Sequence, residues 1–166
     1  MVSIRGLKEN SAMIQISAGI TEGAPGTFTS KRVDLQLNPL DREVFVVQAI
    51  DMNANFPGVV PGTKTETKFS VSTTARTSVG SIAEPNVMAF KDIIVSEDVA
   101  LQSSAGETPA TALEYISIIA TNDFHLNVQG GGGNLGTVGG EVRLYGFRAV
   151  ADATIYSALV QSELLS

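Results

Sequence analysis

Hydrophobic residues in this chain recur mostly at every second position, in short runs separated by turn-forming residues. In DFHLNVQ, Phe124, Leu126 and Val128 alternate with Asp123, His125, Asn127 and Gln129. Alternation of this kind sends successive side chains to opposite faces of an extended strand, predicting an apolar inner face and a polar outer one. In TFTSKRVDLQLN, Val33, Leu35 and Leu37 alternate in the same way with Asp34, Gln36 and Asn38. Asn38-Pro39 then ends the run, because proline restricts its predecessor and lacks an N–H. AMIQISA (12–18), TKFSVSTT (67–74) and EVRLYGFRAV (141–150) read as further strands, and the two Pro-Gly pairs between 57 and 62 read as turns.

Other segments break the simple pattern. EVFVVQAIDM (43–52) is apolar on both sides: Phe45, Val47 and Ala49 share one face, while Val44, Val46 and Ile50 lie mostly on the other. That predicts a central strand covered twice, by a second sheet on one side and by a helix or a neighbouring subunit on the other. ALEYISIIA (112–120) reads as a buried strand, whereas VMAFKDIIV (87–95) fits either a strand or about two helical turns. The pattern weakens between 75 and 86, and SEDVALQSSAGETPAT (96–111) reads as a loop containing a short helical turn. DATIYSALVQSELL (152–165) reads as a helix capped by Asp152, with Ile155, Tyr156, Leu159 and Val160 as its inner stripe. That stripe would be hidden equally well by the sheet or by the same helix of another subunit.

The elements add up to a mainly β fold, an antiparallel β-sandwich or jelly-roll-like barrel of about seven to nine strands with a short C-terminal helix. Long helices do not alternate with the strands, which argues against a doubly wound α/β fold. With 166 residues, no internal repeat and no separate linker, one domain over 1–166 is expected.

Composition sharpens this picture. Charged residues make up only 17% of the chain, so Ser, Thr, Asn and Gln supply much of the polarity, as suits strands and surfaces that meet other protein. The net charge of -6 predicts no general nucleic-acid binding, although Arg143 and Arg148 could form a local basic patch. The amino terminus lacks the uninterrupted apolar core of a signal peptide, and no run of 18 apolar residues predicts a membrane-inserted helix. With no cysteine and one histidine, disulfides, thiolate chemistry and Cys/His metal clusters are not expected.

The most conspicuous stretch is QGGGGNLGTVGGE, beginning at Gln129. A phosphate-binding loop requires Lys-Ser or Lys-Thr and then a helix; here no lysine follows and the next segment is a strand. The dinucleotide fingerprint fails for the same reason. The run is expected to be a long, mobile hairpin tip, costly to order alone and made favourable by a neighbouring molecule. Gly130, Gly131, Gly132, Gly133 and Asn134 are therefore candidate assembly contacts, with Tyr145, Phe147, Ile155, Tyr156 and Leu159.

No catalytic residue, cofactor or metal site is expected. His125 has no partner fixed beside it and reads as a polar surface residue. Glu97 with Asp98, and Glu107 with Glu114, read as solvated pairs; hydrolysis of a glycosidic bond would need two carboxylates held about 5–10 Å apart across a cleft. Tyr115, Tyr145, Phe147 and Tyr156 could build a sugar platform, while Phe45, Phe69, Phe90 and Phe124 fit core positions.

In VRLYGFRAVADATIYSALV, a terminal strand with glycine after tyrosine leads into a short closing helix. Together with the glycine-rich stretch and the low charge, this resembles small β-sandwich structural proteins of virus particles, including decoration, minor capsid and tail-associated subunits. The resemblance covers residues 110 to 165. It implies a non-enzymatic subunit of the virion, made in a host cytoplasm and packed as a homo-oligomer such as a trimer. The partners implied are other copies and other particle proteins. The alternative reading is a carbohydrate-recognition or adhesion module whose partner is a surface glycan, and the third is a hydrolase with an unrecognised carboxylate site.

Overall fold

A computed structural model describes residues 4–96, 103–105 and 113–165. Among these residues the chain forms ten strands and one α-helix: β1 (Leu7–Glu9), β2 (Ile14–Thr21), β3 (Thr29–Asp34), β4 (Glu43–Ala54), β5 (Thr65–Ser72), β6 (Val87–Val95), β7 (Ser103–Ala105), β8 (Ser117–Ile119), β9 (Asp123–Gly130), β10 (Gly139–Ala151) and α1 (Ala153–Leu165). The 87–95 segment is thus a strand, and most of the 96–111 reading lies outside the described residues.

All pairings are antiparallel. One sheet runs β2–β10–β4–β8, with β1 continuing the β2 edge of β10, and the other runs β3–β9–β5–β6–β7. The pairs β2–β10, β3–β9, β4–β8 and β5–β6 nest one inside the next, as in a long hairpin rolled into two facing sheets. This is the jelly-roll arrangement.

The core lies between the sheets. Phe45, Phe69, Val71, Ile119, Phe124, Leu126, Val128 and Leu144 have no more than 1% of their surface exposed. Burying a side chain of this size stabilises the fold by roughly 1.5–3 kcal/mol. The inward triplet of β9 is as its alternation predicts. Leu35 and Leu37 are also buried, but β3 stops at Asp34 and Gln36 takes a left-handed φ of 53°, so the chain turns into the core as a loop instead of continuing as a strand. Phe90 is opposite Ser70 on the outer face of its sheet and is only half-buried, contrary to the expectation of a core position.

β4 is the strand covered twice. Phe45 and Val47 face the opposite sheet, while Val44 and Val46 pack with Phe147, Ala149 and Ala151 beneath Ile155, Tyr156, Leu159 and Val160 of α1. The helix stripe is therefore covered by its own sheet. Asp152 caps the helix as expected, its Oδ1 accepting the Ile155 N–H at 2.9 Å. One part of the β4 reading is corrected. Tyr145 pairs with Ala49 and Gly146 with Val47, leaving Gln48 as an inserted residue. That bulge reverses the alternation, so Ile50 joins Phe45 and Val47 in the core and Ala49 faces outward.

Polar groups are also buried, on the outer face of the second sheet. Asn127 is fully buried, not exposed as its outward position predicts. Its amide accepts from Ser30 Oγ at 2.9 Å and donates to Ser70 and Ser72. Those serines donate in turn to the carbonyls of Val79 and Thr74 in the 73–86 connection, tying that loop across the sheet. Arg76 holds the same loop together through Glu84, Asn86 and the Ser78 carbonyl.

Candidate functional site

Two surfaces stand out, one built by loops and one by a sheet. The loop surface begins at the glycine run, which is not a hairpin tip. β9 and β10 belong to different sheets, so residues 131–138 cross from one to the other. The crossing is held from within. Glu22, itself buried, accepts the Gly130 N–H at 2.5 Å and the Val138 N–H at 2.9 Å, and its own N–H donates to the Val138 carbonyl at 2.9 Å. Asn134 pairs with the Glu66 backbone in both directions, accepting its N–H at 3.0 Å and donating to its carbonyl at 2.8 Å.

Close approach explains two of the glycines. A Cβ on Gly133 would lie 2.2 Å from Thr63 Cγ2 and 2.4 Å from the Lys64 carbonyl oxygen; one on Gly130 would lie 2.5 Å from Asn134 Nδ2. Gly132 faces open space. The run is thus ordered by the chain's own residues, because a backbone without side chains can come within hydrogen-bonding distance of β5 and the buried carboxylate.

The 55–64 connection is joined to this end through the Asn55 N–H, which donates to the Gly139 carbonyl, and through Thr63 and Lys64 against Gly133. Phe56, Val59 and Leu135 on these two loops expose 60%, 74% and 81% of their surface. All three are large apolar residues exposed at this end of the fold.

The second surface is the open half of the first sheet, beyond the end covered by α1. Cross-strand register places Ser17, Arg143 and Asp51 in one row, Gly19, Glu141 and Asn53 in the next, and Gln15, Tyr145 and Ala49 on the other side. The first two rows line a groove of about 480 Å³. Arg143 Nε donates to Ser17 Oγ at 3.2 Å. A hydrogen bond with Tyr145 and the charge of its phenolate push the guanidinium pKa up against the opposing effect of burial, and the Asp51 carboxylate adds the smallest contribution.

The remaining candidates are dispersed. Phe147 is buried under α1, Gly130 and Asn134 are buried in the crossing, and Gly131, Gly133, Tyr145, Ile155, Tyr156 and Leu159 are half-buried. Arg143 and Arg148 do not form a common patch: Arg148 turns toward the Leu35 and Gln36 carbonyls and Glu43. Glu114 is exposed, and Glu97, Asp98 and Glu107 lie outside the described residues.

His125 is not an open surface residue. Its side chain is 11% exposed, and burial outweighs the nearby Asp123 carboxylate to push its pKa below the ordinary value of 6.5. A carboxyl pair that sequence reading missed joins Glu66 to Asp92 across β5 and β6. Burial, then the Glu66 charge and the hydrogen bond that a protonated Asp92 donates to it, raise the Asp92 pKa. Among the described residues no group of three His, Cys, Asp or Glu side chains is placed to hold a metal ion, and no helix is long and apolar enough to cross a membrane.

A scan against protein-family models and a search of curated proteins both found no match.

Proposed function

We propose that the chain is a non-enzymatic structural subunit of a virus particle, acting by packing against other copies and against other particle proteins. The observation that carries this reading is the exposure of three large apolar residues at one end of the fold: Leu135 on the crossing tied down at Glu22 and Asn134, and Phe56 and Val59 on the neighbouring 55–64 connection. Apolar side chains on an ordered backbone lose less freedom when they meet a partner, so more of their burial counts toward association. The jelly roll adds support, since capsid domains use this architecture, but so do lectins and cupins, and topology alone assigns no role.

The chain is expected to form a closed oligomer, such as a trimer, at micromolar concentration, with an interface of about 1,200–2,000 Å². Sedimentation velocity on the full chain tests this. Replacing Phe56 and Leu135 together by serine should shift the population to monomer without lowering the thermal midpoint, because both side chains are exposed within one chain. A wild-type chain that stays monomeric at about 100 μM, well above the dissociation constants of stable complexes, would overturn the reading.

A further inference from the structure

We infer that the groove across β2, β10 and β4 is a binding site for a neutral saccharide. Its floor contains a glycine that folding does not require. A Cβ on Gly19 would meet nothing nearer than the Gly140 carbonyl oxygen at 3.6 Å and Glu141 Cγ at 3.7 Å, both ordinary contacts. A glycine inside a strand weakens the strand and leaves no side chain to pack, and it often marks a place where something else approaches the backbone. Here it leaves the row Gly19–Glu141–Asn53 bare at one end and opens the groove.

The groups around that opening narrow the ligand. Arg143 offers only donors, Asp51 and Glu141 only acceptors, and Asn53 both, on a grid of about 4.8 Å between strands and 6.8 Å along them. A ligand satisfying such a grid needs hydroxyls able to donate and accept on several sides. The Lys31 ammonium donates to the Gly19 carbonyl at 2.9 Å, so two cations and two carboxylates balance around the opening, which suits a ligand without net charge, and the central guanidinium disfavours a metal cation. Tyr145, half-buried in the adjoining row of β10, lies next to the groove without lining it. The inference does not depend on assembly of copies.

The test is an array of immobilised neutral and acidic oligosaccharides probed with the full chain, followed by NMR titration of the best neutral ligand. Neutral ligands should bind and shift the amides of residues 17–19, 51–53 and 141–143. Gly19→Thr, which fills the floor with a residue suited to a strand, should weaken binding at least about tenfold with no fall in thermal midpoint, as should Arg143→Ala. Absence of any neutral ligand at about 10 mM would overturn the inference. So would a preference for acidic sugars, or binding that survives Gly19→Thr unchanged.

Discussion

The Glu22 carboxylate accepts the N–H of Val138, 116 residues further along the chain, at 2.9 Å. Its other oxygen accepts Gly130, so one buried side chain closes both ends of the crossing between sheets. Glu22→Ala leaves two buried N–H groups without that acceptor, and each is expected to cost about 1–3 kcal/mol. For a chain of this size that lowers the thermal midpoint by at least about 4 °C, measurable by calorimetry.

Gly133 and Gly132 make a matched pair. Gly133→Ala drives a methyl into Thr63 and the Lys64 backbone, so a stability loss of about 1–3 kcal/mol is expected from overpacking. Gly132→Ala meets open space and should change stability by less than about 0.5 kcal/mol. Equal effects in denaturant titrations would contradict the close approach described here.

Glu163, in the last turns of α1, accepts the N–H groups of Ala120 and Thr121, both at 2.8 Å. The carboxylate fastens the helix to the connection between β8 and β9. Glu163→Ala should destabilise the protein by about 1–3 kcal/mol and increase hydrogen exchange at Ala120 and Thr121 before the rest of the sheet.

Asp92 and His125 predict opposite pH dependences. The folded pKa of Asp92 is raised above its ordinary 3.8, so the folded protein holds this proton more tightly. The resulting stabilisation is complete below that value and is lost as pH rises through the folded pKa. Asp92→Asn should therefore raise the midpoint at pH 7 by a degree or a few, with the gain shrinking toward pH 4. The effect is modest because the site is partly hydrated.

His125 titrates lower in the folded protein than in the unfolded one. The unfolded chain takes up the proton first, so stability falls as pH drops below about 6.5 toward the folded value. His125→Gln should lose less stability than the wild type between pH 7 and 5, in paired thermal melts.

Much of this architecture is legible locally. Phe124, Leu126 and Val128 are buried because pleating sends every second side chain to the same face, and Ile155, Tyr156, Leu159 and Val160 share a helix face by the same kind of geometry. Asp152 could be read as a cap because the N–H it serves lies three residues away.

The rest depends on residues far apart in the chain. No neighbour of Gln48 announces that it will be skipped, since the bulge exists only against Gly146, and the glycines of the crossing resemble a hairpin until β9 and β10 are assigned to different sheets. Glu22, Asn127 and Glu163 look like solvent-facing residues in isolation; their partners lie between 42 and 116 positions away. The groove has the same origin, because Gly19, Arg143 and Asp51 become neighbours only through strand pairing. Backbone geometry writes side-chain alternation into any short segment, whereas the burial of a polar group depends on which distant hydrogen-bonding partner the fold brings to it.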